Sequence, residues 1–117
     1  MIPKQFEFLR RIADRPAMYL RFADTDRHAQ LENIGDLLDG FAAALEVLEL
    51  GNVRFQSDFG AFVCRQTGWS GSCGAVSTIS EHAASPNEAW AMFWLLARMY
   101  EDSFQEPLGD GRTKGLP

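Results

Sequence analysis

A chain of 117 residues, 46% apolar and 12% aromatic, carries enough material for a single hydrophobic core without a metal or disulfide staple. Its formal charge of −5 disfavours nucleic acid, whose phosphates need clustered Lys and Arg, and no apolar run approaches the roughly 18 residues that span a bilayer. Two cysteines, Cys64 and Cys73, define no disulfide framework, and without a secretory profile at the N-terminus the expected location is the cytoplasm.

The first predicted helix opens at Pro3 and carries Phe6, Leu9, Ile12 and Ala13 at helical spacing to about residue 14, where Pro16 forces a stop. The segment Arg15-Pro16-Ala17-Met18-Tyr19-Leu20 follows. In it Pro16 is expected to set the chain direction, Met18 and Leu20 to enter the core, Tyr19 to offer a ring with a polar tip, and Arg15 to bond the open helix-end carbonyls.

The second helix is the longest. It opens near Asp26 as N-cap, puts Leu31, Ile34, Leu38, Phe41, Leu45 and Leu48 on one face, and ends at Gly51-Asn52. Gly35 and Gly40 inside it predict close packing of another element. A third helix over Phe55, Phe59, Phe62 and Val63 stops at Gly68, with Gly60 as an internal weak point. Trp69 to Ser80 reads as a loop, with a short strand over Ala75 to Ile79 as an option. The last helix is announced by the capping box Ser85-Pro86-Asn87-Glu88 and continues to about Phe104.

That last helix is apolar over two rows. Trp90, Phe93, Trp94, Ala97, Tyr100 and Phe104 form the main one, and Met92, Leu95 and Met99 form a second, which is a candidate homodimer interface. The whole is a mainly α fold, a single domain over residues 1–106 with about four helices around the aromatic C-terminal one. Residues 107–117 form a tail with little to bury.

Charge is uneven along the chain. Residues 1–27 hold six basic and four acidic side chains, against five and twelve in the remainder. At about 100° per residue, Glu32, Asp36, Asp39 and Glu46 share one sector of the second helix opposite its apolar stripe. Such a ridge is either a solvated face or a surface that selects a basic partner by complementary potential.

Reactive constellations are hard to find. Cys64, Cys73 and His82 lie too far apart for the short paired spacings of a zinc site, and His28 is remote, so no metal or cofactor is expected. The stretch Gly68-Trp69-Ser70-Gly71-Ser72-Cys73-Gly74 lacks the terminal Gly-Lys-Ser/Thr of a phosphate loop and the full spacing of a nucleophile elbow. It reads as a turn that tucks Trp69 onto the domain or as a contact loop.

The proline-led segment, together with Leu37-Leu38-Asp39-Gly40-Phe41, Phe55 to Val63 and Glu88 to Leu96, is similar to a group of small bacterial proteins, some in immunity-protein neighbourhoods of polymorphic toxin systems. In that group a glycine ordinarily closes the segment where this chain has Arg21. The resemblance implies a non-catalytic protein that binds a toxin domain; the charge pattern makes the partner a basic one and the acidic ridge of Glu32, Asp36, Asp39 and Glu46, with the loop around Trp69, the expected contact surface. Two other readings stay open: a ligand module with a pocket lined by Trp69, Trp90 and Trp94, and a thiol enzyme using Cys64 or Cys73.

Overall fold

The computed structural model describes residues 2–50, 54–70 and 74–105, leaving aside the side chain of Gln105. Six helices occupy them: α1 (Gln5–Asp14), α2 (Pro16–Tyr19), α3 (Arg27–Leu48), α4 (Phe55–Thr67), α5 (Ala75–His82) and α6 (Pro86–Gln105), with no strand among the described residues. The expected tail over 107–117 lies outside them.

Local chemistry explains four of the helix ends. Asp26 caps α3 by accepting from the Ala29 N–H at 3.1 Å. Ser85 Oγ accepts from the Glu88 N–H at 3.1 Å, and the Glu88 carboxylate accepts in return from the Ala84 N–H, one residue outside the usual reciprocal partner. Gly68, at φ 81°, closes α4 with its N–H on the Cys64 carbonyl. The expected stop of α3 at Gly51-Asn52 falls outside the described residues. Helical geometry already ends at Leu48, because Glu49 takes the left-handed conformation (φ 55°) and the Glu49 and Leu50 N–H groups bond the Glu46 and Leu45 carbonyls. That is the Schellman pattern, built on a non-glycine residue.

The proline-led segment is one helical turn, and this corrects two expectations. Leu20 leaves the turn in extended conformation, so its direction is independent of that of Met18 on the helical turn. Leu20 is buried and Met18 is 64% exposed. The carbonyl of Arg11 is met by the backbone N–H of Arg15, whose guanidinium instead stands 3.8 Å from Asp14 in solvent. Tyr19 does dock a ring, edge-on to Phe8 at 6.2 Å. Arg11 ties α1 to α2, and its bond to Glu7, then that to Tyr19, raises an already high guanidinium pKa.

Residues 75–79 form α5 and not a strand. Val76, Thr78 and Ile79 favour extended chain by β-branching, but Ala75, Thr78 and Ile79 recur at helical spacing and are all buried. The helix starts at Gly74, whose φ of 99° favours glycine. Gly60 explains this start: a methyl group there would lie 2.8 Å from Gly74 Cα. By contrast, a methyl on Gly35 would meet Val76 Cγ2 at 3.9 Å and one on Gly40 nothing within 4 Å, so close packing does not account for these two glycines.

α6 lies against α3, α4 and α5, while α1 packs on α3 and α2 on α1. Tyr100 is the hub of the aromatic core, with ring centroids of Phe6, Phe55, Phe59, Phe62 and Phe104 within 5.7 Å. Burial, then the Asp58 carboxylate, raises the Tyr100 phenol above its ordinary value of 10.0, with Arg65 opposing. An unfolded tyrosine therefore ionises first as pH rises, so the stability linked to this group is complete below about pH 10 and is lost above it. Thermal melts of Tyr100→Phe should show a shallower alkaline decline than the parent chain. Parallel declines would remove Tyr100 as its source.

Two buried amides, invisible to hydrophobic patterning, place the start of α3. Gln30 Nε2 donates to the Phe22 carbonyl at 2.9 Å while its Oε1 accepts from Arg27 at 2.6 Å. One turn away in sequence, Asn33 Oδ1 accepts from the Arg21 N–H at 2.9 Å. The loop between α2 and α3 is thereby pinned along the helix that carries the acidic ridge.

Candidate functional site

The four carboxylates of the ridge stand on one uninterrupted helix, and all are exposed. From Glu32 to Glu46 the rise is about 21 Å. Glu32 lies 3.4 Å from His28 Nε2, one turn earlier, and Asp39 accepts from Gln56 Nε2 at 2.6 Å. Gln56 also donates to the Gly35 carbonyl at 3.1 Å, so α4 steadies the middle of the ridge. The carboxylates of Asp36 and Glu46 have no hydrogen-bond or ion-pair partner among the described residues. Their charges are available to an incoming cation.

Beyond the ridge the helix is thinly covered. Val47 is 81% and Leu48 61% exposed, and Leu50 follows them into solvent. Val47, about 20° from Asp36 around the helix, borders the acidic sector, whereas Leu48 lies on the opposite side.

Trp69 does not join this surface through α3. It sits at the junction of α4 and α5, half-buried, with its ring stacked on His82 at 4.6 Å and 9°. His82 Nδ1 is 2.9 Å from the Thr78 carbonyl, which can only accept, so Nδ1 carries the proton and Nε2 is the other ring nitrogen. The pairing of Trp69 with His82 had no sequence signal, since thirteen positions separate them.

Nor do the three tryptophans line one pocket. Trp90 and Trp94 meet edge-on at 5.6 Å, and Arg27 lies 4.2 Å over the Trp90 ring. An apolar groove of about 420 Å³ runs between α1 and α6, with Trp94, Arg10, Arg98, Glu101 and Asp102 among its lining. Arg10 and Glu101 pair across it.

The second apolar row of α6 divides. Met92 packs against the core, whereas Leu95 is 60% and Met99 38% exposed. Cys64 is half-buried on α4, and Cys73 lies outside the described residues. Among the described residues no three His, Cys, Asp or Glu side chains are grouped to hold a metal ion, and no helix is long and apolar enough to cross a membrane.

No family model matches the chain, and no curated protein or solved structure matches it either.

Proposed function

We propose that this chain is a non-catalytic interaction protein of the immunity type, which captures a basic toxin domain on the acidic side of α3. The observation that carries the reading is the alignment of Glu32, Asp36, Asp39 and Glu46, all exposed on one rigid helix, with two of the four carboxylates unengaged. Aligned charges raise the rate of encounter and reject partners of like sign. The exposed Val47, beside the acidic sector, supplies the desolvated contact that charge alone does not.

The test is protection of cells that express a toxin domain encoded beside this chain. Reversal of all four carboxylates to Lys should abolish protection and toxin binding while leaving the melting curve near that of the parent. Binding by the parent should weaken steeply as salt rises, because exposed charges are screened beyond about 8 Å at physiological ionic strength. Equal protection by the reversed chain would sink the reading.

A second reading, a ligand-binding module, is favoured by the groove between α1 and α6, whose volume falls in the range of small-molecule sites. Here Trp94 is the reporter. A metabolite that shifts its fluorescence, and loses the effect on Trp94→Phe, would select this reading over the first.

A further inference from the structure

We infer that a second copy of this chain docks on the exposed side of α6, around Leu95 and Met99. That side presents Leu95 and Met99 in solvent, with Arg98 between them in sequence and Asp102 one turn beyond. Arg98 and Asp102 are spaced to pair with each other, yet neither has an ion pair or hydrogen bond among the described residues. Arg10 and Glu101, on the α1 side of the groove, already hold each other.

The pattern of charge selects the occupant. A basic partner would satisfy only Asp102, and an acidic partner only Arg98. A copy related by a two-fold axis presents the same set in reverse order and satisfies both, twice. With antiparallel α6 helices crossing between residues 98 and 99, Arg98 of one copy is offset by three residues, about 4.5 Å, from Asp102 of the other. The same offset separates Leu95 from Met99 of the second copy. One crossing point therefore brings both the apolar and the ionic groups within side-chain reach.

The experiment is sedimentation equilibrium of the full chain over a wide concentration range, with far-UV melts confirming that each variant folds. The parent should approach twice its 13.1 kDa chain mass as concentration rises. Leu95→Lys should remain monomeric. Arg98→Asp and Asp102→Arg should each raise the dissociation constant about tenfold or more, since each places like charges face to face twice. The double variant Arg98→Asp/Asp102→Arg should recover the parent's dimer, because exchange of the signs preserves the match. A parent that stays monomeric throughout, a dimer indifferent to Leu95→Lys, or a double variant no better than the singles would each overturn the inference.

Discussion

Replacing Phe59 with Ala should cost about 4 kcal/mol of folding stability, the largest loss expected from a single truncation in this chain. Phe59 is fully buried, its ring lies parallel to that of Tyr100 at 5.1 Å, and Phe55 and Phe93 close its other sides at 5.8 Å. The cost has two parts: transfer of the ring to water, and a cavity whose walls belong to α4 and α6. Those walls cannot collapse easily, because Tyr100 is also held by Phe6 and Phe62. A domain of this size is stable by about 5–15 kcal/mol, so the variant should melt well below the parent and sit near the edge of folding. Urea denaturation measures the difference. A loss below about 1.5 kcal/mol would mean that the aromatic core repacks freely and is not the rigid hub described here.

Gly60→Ala should destabilise by about 3 kcal/mol, although Ala is the better helix former. The added methyl would meet backbone and not a flexible side chain: Gly74 Cα at 2.8 Å, Gly74 C at 3.0 Å and Ala75 N at 3.2 Å. Relief requires α5 to move away from α4, which opens the packing between the two helices. Gly40→Ala is the matched control, because open space surrounds that position. It should stabilise by up to about 1 kcal/mol, the ordinary propensity difference. Opposite signs at two internal helix glycines would confirm that the Gly60–Gly74 approach is real. A neutral Gly60→Ala would deny it.

The acidic side of α3 and the exposed side of α6 are separate surfaces, and α3 itself packs on α6. Carboxylate reversals on α3 and substitutions at Leu95 therefore test different properties of the molecule. A chain that loses partner capture but keeps its dimer, or the reverse, would assign each surface its own role.

What could be read from one dimension was whatever is decided within a helical turn or by a sustained period. The Asp26 and Ser85 caps, the Gly68 stop, the buried stripe of Leu31, Ile34, Leu38 and Leu45, and the shared sector of the four carboxylates all belong here. Hydrogen bonds to residues three or four away and a rotation of about 100° per residue settle them without reference to the rest of the fold.

Tertiary structure decided the remainder, because burial depends on which neighbour arrives. Met92 is covered while Leu95 and Met99 in the same row are not, since α6 is flanked by other helices on one side of that row only. The β-branched residues of 75–79 became a helix because packing against α4 and α6 outweighed their intrinsic preference. The Arg10–Glu101 pair joins positions 91 apart, and the Gly60–Gly74 approach joins the backbones of two different elements. No local pattern records such meetings: they exist only once the helices have been brought together.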